Sequence, residues 1–241
     1  MDLEVTELGS GDALVVFVHG VLGRGRSFDR IADVLAPECR MLWYDRRGYG
    51  ASAGVAAPVG IDVHVADLLT VLDGRRAVLV GHSFGGVIAM GVAVRAPESV
   101  GALVLYETSL AWVPGWDDSI MQGVFASDDP ETAALRVMLG ARYDAMGKEE
   151  QARRRVEASA FIAEEQSARR ATPPFVVADI QAPVVYGRSD PAVMPVVVDY
   201  LCREVPEIDV VTLAGAGHHA HRTAPEAFAG LVRRGLDRAS R

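Results

Sequence analysis

Ala77-Val78-Leu79-Val80-Gly81-His82-Ser83-Phe84-Gly85-Gly86-Val87 is the stretch on which the fold of this chain turns. Its first four residues are a short apolar run, the pattern of a buried strand. Helical spacing begins near Val87 and continues to about Arg95, where Pro97 stops it. Between strand and helix lies Gly-x-Ser-x-Gly, a sharp turn that thrusts one serine outward. Gly81 and Gly85 remove side chains that would collide in such a turn, and Gly86, Ala89 and Gly91 let the helix pack close to a sheet. A serine hydroxyl is a weak nucleophile at neutral pH and needs both a forced position and an adjacent base. The turn supplies the position, so Ser83 is the candidate nucleophile.

Outward from this turn, short apolar runs alternate with helical patterns, which predicts a mostly parallel sheet covered by helices on both faces. Residues 3–8 alternate apolar and polar and predict an edge strand. Residues 13–18 form a continuous apolar run that ends at His19-Gly20, residues 41–44 another that ends at Asp45, and residues 102–106 a third that ends at Glu107. Helices are predicted over residues 28–35 and 61–72. Past Glu107 the rhythm breaks: residues 109–175 carry helical patterns without a convincing strand. It resumes with strands at residues 183–186 and 208–213, a helix near residues 193–203 and a last helix from Pro225. Residues 1–108 and 176–241 are therefore expected to form one α/β core, with residues 109–175 an inserted helical cap.

Composition narrows the function classes. The chain has 241 residues, half of them hydrophobic, enough for one well-buried domain. Its formal net charge of −8 argues against a sequence-independent grip on nucleic acid or on an anionic membrane. Cys39 and Cys202 lie far apart without metal-ligand or disulfide-framework spacing, and both are expected as buried free thiols. Met1-Asp2-Leu3-Glu4 lacks the pattern of a secretory signal, and no apolar run reaches the ~18 residues that span a bilayer. A cytoplasmic location is the expectation.

The chain resembles the α/β-hydrolase superfamily over nearly its whole length. The elbow around Ser83 carries the resemblance first. His19-Gly20 resembles the family's oxyanion-loop dipeptide, and Asp45-Arg46-Arg47-Gly48-Tyr49-Gly50-Ala51-Ser52 its D-x-R-G-x-G-x-S turn. Gly187-Arg188-Ser189-Asp190 and Gly215-Ala216-Gly217-His218 follow in family order. The short N-terminus departs from the pattern, since members usually begin with one more strand, and this bears on the sheet edge only. The resemblance implies His218 as general base, with His219 or His221 taking its place if the loop is shifted. Asp190 follows a strand, and the order Ser83, Asp190, His218 is the order expected of this fold. Glu107, which also ends a strand, is the alternative acid. The backbone N–H groups of Val21 and Phe84 are the expected oxyanion donors. His19 and His82 are expected to brace turns, and His64 has no evident partner.

These residues imply a serine hydrolase that cleaves an ester, thioester or lactone through an acyl-enzyme, with no metal and no cofactor. The same triad also serves carbon–carbon bond hydrolysis, perhydrolysis and acyl transfer, and the same fold serves as a non-catalytic ligand-binding scaffold. The expected partner is a small, apolar acyl molecule rather than nucleic acid or membrane. Trp112, Trp116, Met121, Phe125, Met138, Tyr143, Met146 and Phe161 either wall its pocket or pack the cap onto the core. Arginines 153–155, 169 and 170 interleave with Glu149, Glu150, Glu164 and Glu165 at helical spacing, which predicts a solvated, ion-paired face.

Overall fold

The computed structural model describes residues 3–55, 60–169 and 172–241, so Met1, Asp2 and Arg170 lie outside the described residues. The strands are β1 (Val5–Leu8), β2 (Leu14–Val18), β3 (Arg40–Tyr44), β4 (Ala77–His82), β5 (Val100–Tyr106), β6 (Val184–Arg188) and β7 (Asp209–Thr212). They build one sheet in the order β1-β3-β2-β4-β5-β6-β7. Every neighbouring pair is parallel except β1 with β3. The helices are α1 (Asp29–Leu35), α2 (Ile61–Leu72), α3 (Phe84–Arg95), α4 (Ser119–Phe125), α5 (Pro130–Leu139), α6 (Ala141–Asp144), α7 (Lys148–Ala168), α8 (Pro195–Glu204), α9 (Ala220–Thr223) and α10 (Pro225–Ala239). The α/β fold read from the sequence is the fold observed.

Side-chain alternation explains why the central strands are apolar throughout. In β2, Val15 and Phe17 point into a core shared with Phe28, Ile31 and Leu35 on the α1 side and Phe228 and Val232 of α10. Val16 and Val18 point the other way, into a core shared with Val65 and Leu68 of α2 and Val87 of α3. A strand sandwiched between two helical layers has no solvent face and so no polar positions. Each fully buried valine or leucine contributes about 1.5–3 kcal/mol. At the edge, β1 alternates yet buries nothing: all four of its residues are exposed.

Helices α4 to α7 all lie between β5 and β6. Leu22 and Tyr49, from loops of the sheet, join Met121, Val124, Leu135, Tyr143 and Phe161 in a third apolar cluster. Helix α7 is not the solvated ionic face expected of it. Glu157 and Glu164, seven residues apart and hence on one side of the helix, are buried along with Arg154. Arg46, fully buried, donates to Glu164 Oε1 at 2.6 Å, and the Tyr49 hydroxyl donates to Glu164 Oε2 at 2.6 Å. His64, for which the sequence names no partner, lies 2.8 Å from Glu164 Oε1. Arg24 pairs with Glu157 at 2.8 Å. Part of the exposed ladder that periodicity predicts does form, as Arg153 with Glu149 and Glu150, while Arg155 pairs instead with Asp129 ahead of α5.

Cys39 is buried as expected, but Cys202 is exposed on α8; both thiols are free. Helix α8 buries Val197, Val198 and Leu201, which leaves the next position on its outer side. No helix among the described residues is long and apolar enough to cross a membrane.

Burial alone would raise the Glu164 carboxyl, but the adjacent Arg46 and His64 overrule it and hold it down at about 2. A carboxyl held below its ordinary value near 4.3 stabilises the fold above that value and loses the contribution as pH falls toward 2. The Glu164→Gln variant leaves Arg46 buried without its counter-charge and is expected to lose about 3–5 kcal/mol at pH 7 in urea unfolding. It should also lose part of the wild-type decline in stability between pH 4.5 and 2, measured as the difference between the two proteins.

Candidate active site

The parallel strands deliver Ser83, Glu107 and Ser189 to the same carboxyl-end edge of the sheet, where open α/β sheets bind their ligands. Ser83 sits between β4 and α3 with φ 52° and ψ −122°, a conformation costly for a residue with a side chain. Its amide is held by the Tyr106 carbonyl at 2.9 Å, and its carbonyl accepts from the Gly86 amide at 2.9 Å. A side chain at Gly85 would run into the Val18 carbonyl. That is the physical reason for the glycine two residues after the serine.

The loop after β2 crosses directly over this turn. A methyl group at Gly20 would lie 2.9 Å from Ser83 Cβ. His19 fixes the loop through both ring nitrogens. Nε2 accepts from the Arg46 amide at 2.9 Å, so Nδ1 carries the proton and donates to the Gly20 carbonyl at 2.8 Å. Burial and the neighbouring Arg46 push its pKa well down, which keeps the ring neutral. The Arg46 guanidinium adds bonds to the His19 carbonyl at 3.0 Å and the Gly20 carbonyl at 3.3 Å. The turn bonds here, Gly23 to Gly20 and Gly86 to Ser83, use neither the Val21 nor the Phe84 amide. Arg154 of α7 donates to the Leu22 carbonyl at 2.8 Å, so the helical insertion also holds this loop. Leu22, Ser83 and Glu107 are three of the five non-glycine residues with positive φ among those described.

His218 lies on the loop after β7. Its carbonyl accepts from His82 Nε2 at 2.9 Å, and its ring Nδ1 is buried with no hydrogen-bond partner. Burial, with a smaller push from His219, lowers its pKa to about 4. Asp190 follows β6; its amide donates to the Ala216 carbonyl at 3.0 Å, which ties it to the histidine loop, while its side chain is exposed. Glu107 is buried, and its Oε1 accepts from the Ser189 amide at 2.6 Å and the Ser189 hydroxyl at 2.7 Å. Glu107 Oε2 is buried without a partner. Among the described residues no hydrogen bond joins Ser83 to His218, or His218 to either carboxylate. The structure thus packs the elbow tightly against the loop after β2 and leaves His218 unjoined to Ser83, Asp190 or Glu107.

Phe84 reaches from the elbow into a cavity of about 360 Å³ lined also by Val87, Trp112, His64 and Glu164. Of the aromatic and methionine residues expected to wall a pocket, Trp112 lines it; Met121, Tyr143 and Phe161 are buried in the cluster they share with Leu22 and Tyr49, and Met138 is exposed. Nothing in the local spacing marks Glu164 and Glu157 as residues that hold the site's loops, because Arg46 and Arg24, which they engage there, are more than a hundred positions away. Arg46 was visible as part of a quoted turn, but its contact with the His19-Gly20 loop was not.

The sequence profile described as "Alpha/beta hydrolase family" matches residues 15–231. Lipase LipV of Mycobacterium tuberculosis is 39% identical over 151 residues, 60% of this chain and 57% of that protein. Pimeloyl-[acyl-carrier protein] methyl ester esterase of Chromobacterium violaceum is 40% identical over 113 residues, 47% of this chain and 43% of that protein. The chain thus spans about half the length of these curated relatives. The enol-lactonase from Burkholderia xenovorans LB400 superposes with a TM-score of 0.77 at 20% identity, covering 98% of this chain and 96% of that one, a likeness of fold. The profile match spans nearly every element of the sheet and both segments that meet at Ser83, and on that ground the chain belongs to the alpha/beta hydrolase family.

Proposed function

We propose that this protein is a serine hydrolase that cleaves a carboxylic ester, thioester or lactone through an acyl-enzyme on Ser83. The observation that carries the reading is the strained Ser83 turn with Gly20 of the neighbouring loop packed against it. Ser83 Oγ attacks the carbonyl carbon while His218 takes the hydroxyl proton. The amides of Val21 and Phe84 receive the negative charge that develops on the carbonyl oxygen, each worth about 2.7–4 kcal/mol in the transition state. His218 then protonates the leaving group, and water activated by the same ring releases the acid. The ring must come within about 2.6–3.2 Å of Ser83 Oγ for this, a contact that commonly tightens only with substrate bound. Residues 109–175 act as a cap, and the cavity beside the elbow, lined by Phe84, Val87 and Trp112 together with His64, Glu164 and Ser167, takes part of a small acyl substrate. This chemistry calls for no metal or cofactor, and a cytoplasmic location is part of the proposal. That matched relatives are named as a lipase and a methyl ester esterase agrees with an ester-type bond.

Asp190 is proposed as the acid that orients His218, because its amide is bonded to the loop that bears the histidine and Glu107 is already engaged in holding Ser189. Glu107 is a second reading, favoured by its burial and its unpartnered Oε2. Fluorophosphonate should label the folded protein, and Ser83→Ala should abolish both labelling and turnover of a chromogenic ester by about 10³-fold or more. Labelling that survives the substitution removes Ser83 from the role, and absence of labelling in the wild type leaves a ligand-binding scaffold. For the acid, Asp190→Asn is expected to lower kcat by about 10²–10⁴-fold with little change in KM, and Glu107→Gln to act mainly on stability. If Glu107→Gln alone removes turnover while the protein stays folded, Glu107 is the acid.

A further inference from the structure

Three histidines beside the catalytic loop have no task in this mechanism beyond a single bond to a backbone carbonyl. His82 ends β4; His219 and His221 belong to the α9 turn. One ring nitrogen from each lies within 4.8 Å of the others. The His82 and His221 rings are 4.4 Å apart between centroids, His82 and His219 5.8 Å, and His219 and His221 5.9 Å. His221 is 3% exposed, and its Nδ1 has no hydrogen-bond partner. Phe28 stands 5.2 Å from the His221 ring and Phe228 6.0 Å from it, an apolar backing. His219 is exposed and opens the cluster to solvent.

We propose that His82, His219 and His221 bind one borderline transition-metal cation, Zn²⁺ above all, through their three imidazoles. Such a set suits Zn²⁺, with Zn–N bonds of about 2.0–2.1 Å, and not Mg²⁺ or Ca²⁺, which demand oxygen ligands. Drawing the nitrogens onto one ion requires a small closure of the α9 turn toward β4. Three protein ligands leave a fourth, solvent-facing position. Burial, the largest cause in all three, favours the neutral ring with one lone pair and pushes His221 down to about 3; coordination through His82 Nε2 would replace its bond to the His218 carbonyl. Arg222 and Arg142 act on His219 as like charges and hold the affinity below that of a closed structural zinc site. A bound ion ties β4, next to Ser83, to the turn that follows His218, and so restrains the loop on which the proposed base sits.

Titration of the full chain, stripped with EDTA, with Zn²⁺ in a calorimeter tests this. One equivalent should bind the wild type, and His219→Ala, a change at an exposed position, should weaken binding by at least about ten-fold. His221→Gln should do the same where it folds, whereas His218→Ala should stay within about three-fold of wild type because His218 is not a ligand. The proposal fails if the wild type shows no saturable binding, if His219→Ala binds as the wild type does, or if His218→Ala weakens binding as much as His219→Ala. Fluorophosphonate labelling of Ser83 is a separate readout, so failure of either reading leaves the other intact.

Discussion

The guanidinium of Arg46, with no solvent contact, connects three parts of the chain that are far apart in sequence. It reaches the carbonyls of His19 and Gly20 on one side and the Glu164 carboxylate of α7 on the other. Arginine alone has the planar fork of donors that this arrangement needs, and its charge persists in a dry interior only with a carboxylate beside it. The carboxylate comes from the helical insertion. Docking of α7 and the geometry of the loop against Ser83 are therefore coupled: without Glu164, Arg46 is a buried unpaired charge, and without Arg46 the His19 carbonyl loses its guanidinium donor and the Gly20 carbonyl keeps only His19 Nδ1 and the Gly23 amide. The ion pair adds little net stability over a well-packed apolar contact, since desolvation offsets most of its attraction. What it fixes is the direction of the loop's peptide groups.

That direction matters because peptide groups have two ends. Once the His19 and Gly20 carbonyls face Arg46 and the His19 ring, the following amide is left to meet whatever lies over Ser83. The backbone strain follows the same logic. Leu22, Ser83 and Glu107 each lie in a loop past the end of a parallel strand, and each is held at positive φ by its neighbours: Arg154 on the Leu22 carbonyl, Tyr106 on the Ser83 amide, Gly187 on the Glu107 amide. A strained residue persists where the surroundings over-determine it. Here the stiff central strands supply that support, and the cost is spread over the two apolar cores.

The fold was legible because its signals are local. A four-residue apolar run, two glycines and a helix-spaced stretch define the elbow without reference to the rest of the chain, and Val15 to Val18 identify a doubly covered strand by lacking polar residues. The edge at β1 was legible as a strand, though its alternation buries no face. The ionic side of α7 was read wrongly for a definite reason. Charges at three- and four-residue spacing satisfy one another along a solvated helix, and that local solution masks a second, tertiary one, in which Glu157 and Glu164 face Arg24 and Arg46. Cys202 fails similarly, since an apolar helix sequence does not say which flank of an amphipathic face is covered. Within the site, the elbow and its loop are set by backbone geometry and glycine spacing. The acid depends on side-chain reach across loops, which spacing does not encode.

The two halves of the candidate site are prepared to different degrees, and the chemistry proposed for them gives a reason. The donors for an oxyanion must be in place before charge develops, because reorganising them during the reaction forfeits their benefit. The contact proposed between His218 and Asp190 orients the ring at rest but gains most of its strength only when the ring is charged. Burial lowers the His218 pKa to about 4, so the resting ring is neutral, and a hydrogen bond from a neutral imidazole contributes only about 0.5–1.5 kcal/mol net. When the ring takes the serine proton, the same bond joins opposite charges and roughly doubles in strength. An acid that is loosely engaged at rest and tightly engaged beside an imidazolium discriminates in favour of the transition state. In that reading the exposed Asp190 and the unpartnered Nδ1 of His218 are the resting side of a contact whose energy is released only during turnover.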